Sequence, residues 1–231
     1  MTSSGTYGFN PSAGECVLSA FERIKIRAPS LRVEHMRTAK MESNFLMAKF
    51  SNLQPNLWKV EQFSIPLIQG TATYTLTPQT VMVLDAWITT NAGTSNANDR
   101  YITPISRTEY ASYSQKQTPG PPTTFWLDRL ITPTITLWPV PDGNGPYEFN
   151  YFACLQMQDV GLTGGQTLDL PFLWLDAYVA DLAWRLARVY ATELEAQRKI
   201  DAKEAWETAA AQNIENVAFN LALGIGTYYR R

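Results

Sequence analysis

Catalysis near neutral pH usually needs a side chain that changes charge there, and this sequence offers one histidine, His35, and two cysteines, Cys16 and Cys154. His35 lies in a helical stretch with Glu34 and Arg37 close by. A Ser–His–Asp triad would have to be built around that solvent-facing position, so His35 is expected to be a surface or intersubunit residue. One imidazole and two remote thiols do not make a zinc site. The cysteines show no metal or redox spacing and are expected to be buried thiols, suited to a reducing cytoplasm during assembly.

The carboxylate pairs Glu193/Glu195 and Asp201/Glu204 fall on a charged helix face and read as solvated. Gly161-Leu162-Thr163-Gly164-Gly165 superficially resembles a phosphate loop. It lacks the Gly-Lys-Ser/Thr ending and leads to a proline-started helix, so it reads as a linker. Exposed aromatics could stack on sugars, but Trp58, Trp87, Trp126 and Trp138 fall in strand patterns, where burial is the commoner use. The residues therefore nominate no catalytic group, no cofactor site and no metal site. The chain is expected not to be an enzyme.

The elements that would position these residues form three blocks. Residues 1–55 read as helical. Ser12 and Glu15 make a capping box, and Val17, Phe21 and Ile24 follow at helical spacing, with Pro29 as the stop. Ser30 can cap a second helix to about Leu53, with Leu31, Met36, Phe45, Leu46, Phe50 and Leu53 as its apolar members, and Pro55 ends it.

Residues 56–160 read as β. Strands are expected at Trp58–Ile65, Thr71–Leu76, Val81–Thr90, Tyr101–Ile105, Thr123–Leu127, Thr134–Trp138 and Tyr147–Ala153. Asn91–Arg100 and the Asp142-Gly143 turn are loops, and Ser106–Ser114 is a short helix inserted between strands. A lone sheet would leave its apolar face wet, so a sandwich is the economical architecture.

Residues 161–215 return to helix. Pro171 suits a first turn, and Leu175, Val179, Leu182, Leu186 and Val189 form a heptad-like seam. Thr192 and Glu195 form a second capping box before a helix to about Ile214, which carries the small-residue stripe Ala202, Ala205, Trp206 and Ala209. The expected fold class is α+β: a helical bundle from both chain ends, an inserted antiparallel β-sandwich, and an extended C-terminal tail. That tail, residues 216–231, bears Val217, Phe219, Leu221, Leu223, Ile225, Tyr228 and Tyr229 with no charge before Arg230. It must fold back on its own domain or dock on a neighbour.

Composition supports a folded chain that meets others of its kind. Of 231 residues, 45% are apolar and only 17% charged, short of the usual ~25%. The shortfall fits surface held against another subunit, or a polar surface rich in Thr and Asn. A net charge of −2 without a basic block gives little support to nucleic-acid binding, yet would let DNA slide past. Met1–Asn10 has no signal-peptide pattern, and no window approaches the roughly 18 apolar residues of a membrane span.

Five motifs occur in order. They are Gly70-Thr71-Ala72-Thr73-Tyr74-Thr75-Leu76, Ile105-Ser106-Arg107-Thr108-Glu109-Tyr110, Pro121-Pro122-Thr123-Thr124-Phe125-Trp126, Ile135-Thr136-Leu137-Trp138-Pro139-Val140-Pro141-Asp142-Gly143, and Leu170-Pro171 with Trp174-Leu175-Asp176-Ala177. Together, from about residue 12 to 212, they resemble phage head-to-tail connector adaptors, including the tail accessory proteins of short-tailed phages and podovirus tail tubular A proteins.

That resemblance implies a virion neck protein assembled in the host cytoplasm. It would form a ring of twelve copies beneath the portal protein, with the tail nozzle or tube below and double-stranded DNA passing through without specific binding. It also implies that Phe219, Leu221, Leu223, Ile225, Tyr228 and Tyr229 dock on the portal. The helical seam would serve as core, and Ala202, Ala205, Trp206 and Ala209 as the face between ring subunits. Two rival readings are a carbohydrate-binding or tail-fibre-type sandwich and a neck protein that degrades cell wall.

Overall fold

The computed structural model describes residues 5–53 and 56–214. Its first element is α1 (Ala13–Arg23). Ser12 caps it: the Glu15 amide donates to Ser12 Oγ, and the Glu15 carboxylate accepts from the Ser12 amide and hydroxyl, both at 2.8 Å. Those hydrogen bonds from Ser12 hold the Glu15 carboxyl below its usual range. The helix stops short of Pro29. Lys25 takes a left-handed φ of 66°, and the Ile26 amide closes onto the Phe21 carbonyl. A 3-10 turn at Ala28–Ser30 follows, so Ser30 is not the cap of the next helix.

Helix α2 (Val33–Leu53) starts instead at Arg32, whose amide donates to His35 Nδ1 at 2.9 Å. Ala39, Ser43, Leu46, Met47 and Phe50 are its buried stripe, whereas Phe45 and Leu53 are exposed.

Between the helices lie eight strands, β1 (Val60–Pro66), β2 (Thr73–Thr75), β3 (Thr80–Thr90), β4 (Asn98–Tyr101), β5 (Thr103–Pro104), β6 (Thr124–Asp128), β7 (Thr134–Trp138) and β8 (Tyr147–Leu155). They form two four-stranded sheets, ordered β1-β8-β3-β4 and β2-β7-β6-β5. Every pairing is antiparallel except β5 with β6. Parallel neighbours need a crossover of a dozen residues or so, and the segment carrying α3 (Arg107–Ser112) supplies it.

Alternation sends Ala86, Ile88, Phe149, Tyr151 and Ala153 of one sheet and Phe125, Ile135 and Leu137 of the other into one shared core. Asn91–Arg100 is only partly a loop. Its last three residues belong to β4, which pairs with β3 from Trp87↔Tyr101 to Thr90↔Asn98. Polar side chains suit an edge strand whose faces are wet, and that masked the strand in the sequence.

After the sheets, a 3-10 turn at Phe172–Trp174 enters α4 (Leu175–Tyr190), and α5 (Glu195–Ala210) follows. Helix α4 packs on α1, α2 and α5 and is buried nearly all round. Of the seam, Leu175, Val179, Leu182 and Leu186 are buried, while Val189 is exposed. The expected capping box at Thr192 and Glu195 does not form. The chain passes from α4 through Ala191 into a 3-10 turn at Thr192–Leu194, so Thr192 lies inside the turn and caps nothing.

A second core gathers Val17, Phe21, Leu46, Phe50, Tyr178, Leu182 and Leu186 with Met157, Val160 and Leu168. The molecule is thus mixed α+β, with five α-helices and two mainly antiparallel sheets among the described residues. Trp58 and Trp174, with ring centroids 5.1 Å apart, and the Lys59–Asp169 ion pair at 2.9 Å tie β1 to the helices.

Candidate interaction surfaces

His35, the two cysteines and Asp201 are engaged in structure. His35 caps α2 and packs edge-on against Tyr190 and Phe21, with centroids 4.8 and 6.0 Å away. Cys16 and Cys154 are buried free thiols. Burial, with the Glu15 charge second, pushes the Cys16 thiol up to about 11, the opposite of a reactive cysteine. Asp201 pairs with Arg198 at 2.8 Å and accepts from Gln197, while Glu193 is exposed. Gly164 and Gly165 take φ of 75° and 68° in the linker before Gln166, whose carbonyl receives the Ala13 amide. Among the described residues no group of three His, Cys, Asp or Glu side chains is placed to hold a metal, and no helix is long and apolar enough to cross a membrane.

The strand tryptophans are spoken for as well. Trp126 and Trp138 lie on the outer face of β6 and β7, where they carry α3 and the loop after it. Tyr110 stacks on Trp126 at 5.6 Å, Tyr113 lies 4.3 Å from Trp138, and Trp138 Nε1 donates to the Gln115 carbonyl. A sugar would find these two ring faces occupied by tyrosine.

The expected ring-face residues sit on α5 where it meets α4. Ala202 and Ala209 are buried within the subunit, and Ala205 and Trp206 are half-buried against the helical core. Small side chains let α5 approach α4 closely, so half of that stripe is used internally. What stays open beside it is a groove of about 380 Å³ lined by Leu53, Trp184, Ile200 and Trp206, with Lys49, Lys199 and Lys203 around them. Lys49, Arg188 and Lys199 each place their charge within 5.9 Å of the Trp184 ring centre. Sequence reasoning passed over this groove, because its lining comes together from three separate helices, α2, α4 and α5.

Beneath it, Asp181 is buried and joins Lys49 to Arg185, and Arg185 continues to Glu42 at 3.2 Å. The expected portal-docking residues Phe219, Leu221, Leu223, Ile225, Tyr228 and Tyr229 lie outside the described residues.

Compared with known families, the chain matches SU10 adaptor protein over residues 43–225. No curated protein matches it.

Proposed function

The chain belongs to the SU10 adaptor protein family of phage head-to-tail adaptors, and from that premise we propose that it forms a ring below the portal. This ring extends the DNA channel, helps to retain the packaged genome and offers the tail nozzle or tube its platform. The observation that carries the reading is that the family match spans 43–225, which takes in part of α2, all eight strands and the helices α3, α4 and α5. The role is structural, with no turnover.

The two sheets sharing one core read as a sandwich inserted between two pairs of helices, with domain limits at 1–55, 56–160, 161–215 and 216–231. A ring is built from heterologous contacts, so each subunit needs two different side faces. The half-buried Ala205 and Trp206, together with Ile200 and Leu53 at the groove, are one such face. Twelve copies, assembly in the host cytoplasm and DNA passage without specific binding belong to the same reading. A net charge of −2 supports the last of these, because a wall without excess positive charge does not hold phosphates.

The apolar, uncharged segment 216–231 is the portal contact, through Phe219, Leu221, Leu223, Ile225, Tyr228 and Tyr229. Each docked tail adds apolar burial at about 25 cal/mol per Å², less the cost of ordering it. The test is to mix the purified chain with portal rings, co-sediment them and image the complex. Full-length chain should pellet with the ring. Chain ending at Ile214 should stay folded and remain in the supernatant, and its co-sedimentation at full strength would refute the docking role of the tail.

A further inference from the structure

Opposite the core-facing Ala86 and Ile88, β3 turns Trp87 and Thr89 to the outer face of its sheet. Trp87 pairs with Tyr101 of β4 on one side and with Asn150 of β8 on the other, and its ring centre lies 5.4 Å from that of Phe152. Tyr101 is 60% exposed and Phe152 36%, so this aromatic patch is open. Carboxylates stand around it. Thr89 is flanked by Glu148 and Asp99, and the exposed Asp85 lies in the β3 bulge opposite Phe152. None of these three carboxylates makes an ion pair among the described residues. Arg100, the one cation of β4, turns away and donates to the Pro122 carbonyl at 2.6 Å.

The opposite chemistry stands at the turn between α1 and α2. Residues 23–40 hold six lysines and arginines against one carboxylate, Glu34. That is a charge of +5 in a chain of −2, which leaves −7 for the remainder. Arg23 pairs with Asp176 and Arg32 with Glu34, but Lys25, Arg27, Arg37 and Lys40 are exposed and make no ion pair among the described residues. Ile26 packs on the helical core and leaves Lys25 and Arg27 at the surface, where they line one hollow with Glu22, Ala28 and Pro29. Like charges this close in sequence repel one another and gain from an anionic neighbour.

We infer that the α1–α2 turn of one copy docks on the outer face of β3, β4 and β8 of the next copy. The Arg27 guanidinium covers the Trp87 ring, and Lys25 meets Asp99 and Glu148. A second copy is the occupant that the charges favour, because one chain carries both halves, and a contact between two unlike patches repeats head to tail. Duplex DNA could meet the basic turn but offers nothing to an acidic, aromatic sheet face. The inference rests on the ring reading and adds a contact to the one at the α5 groove. A single exposed ion pair is weak, but pairs repeated around a closed ring act together.

Exchanging the charges tests it, with rings on portal particles counted by electron microscopy. Lys25→Glu/Arg27→Glu makes the turn acidic, and Asp99→Lys/Glu148→Lys makes the sheet face basic. Either variant alone should lower ring occupancy about tenfold or more, since like charges then face each other. An equimolar mixture of the two should restore the rings, because each reversed patch finds its opposite on the neighbour, a rescue that a misfolded variant would not give. Rings of either variant alone at the parent level overturn the inference and leave the ring reading standing. If the turn variant forms such rings but has lost a duplex DNA probe that the parent binds, the turn belongs to phosphates instead. A mixture that stays without rings overturns the inference as well. Parent chain that forms no ring on portal sinks the ring reading and this contact with it.

Discussion

Asp181 is a carboxylate with 1% of its side chain exposed, held between Lys49 and Arg185. A buried charge is tolerable only while its partners remain, and removing one side of such a cluster leaves the others desolvated and unpaired. Asp181→Ala should therefore cost about 3 kcal/mol in urea unfolding. A loss within the scatter of surface substitutions would mean that water reaches the cluster. Cys16 supplies a pH dependence. Its thiol titrates near 9.0 when unfolded and is pushed up to about 11 by burial. A folded value above the unfolded one means that the stabilising contribution is whole below about 9 and is lost as pH climbs towards 11. Cys16→Ala should flatten that alkaline decline relative to the parent chain. Burial raises the Tyr178 hydroxyl in both proteins, and the Cys16 charge adds a smaller rise in the parent chain alone, so the difference reports the thiol together with its coupling to Tyr178.

At the scale of elements, α1 is the one whose start is written most locally. Ser12→Ala removes the cap at the Glu15 amide and should cost about 1 kcal/mol, measured by thermal or urea unfolding. The capping box at Ser12 was legible because both halves lie within four residues and nothing distant competes. Thr192 and Glu195 show the same pattern and form no box. There the chain is committed to a tight α4–α5 connection, whose 3-10 turn places Thr192 too far inside to cap. β4 was missed for a related reason: Asn98, Asp99 and Arg100 have no apolar period, and only the long β3 beside them recruits them into a ladder. The crossover carrying α3 depends on aromatic stacking. Tyr113→Ala should loosen Ser106–Thr118 and make it the first site of limited proteolysis, while an unchanged cleavage pattern would show that Tyr110 on Trp126 suffices.

For the whole molecule, the proposed assembly asks each subunit to offer surface that folding did not consume. Ile200 is 54% exposed at the mouth of the groove beside Trp184 and Trp206. Ile200→Glu should leave unfolding within about 0.5 kcal/mol of the parent, as surface substitutions usually do, yet reduce ring formation on portal particles seen by electron microscopy. Full rings with this variant would remove that part of α5 from the subunit interface.

Composition and pattern by themselves determined the order helix, sheet, helix and most of the strands, because these are short-range properties of residue type and period. The single strand expected at Tyr101–Ile105 is instead divided between β4 and β5, in different sheets. The five ordered motifs added the family resemblance that the match over 43–225 bears out. Tertiary structure decided what each exposed-looking or apolar-looking residue faces. It turned His35 into a cap, Trp126 and Trp138 into supports for α3, and Ala202 and Ala209 into packing against α4. The reason is physical: a side chain's partner across the core lies a hundred or more residues away, as with Ser43 and Tyr178, and no local period encodes that distance.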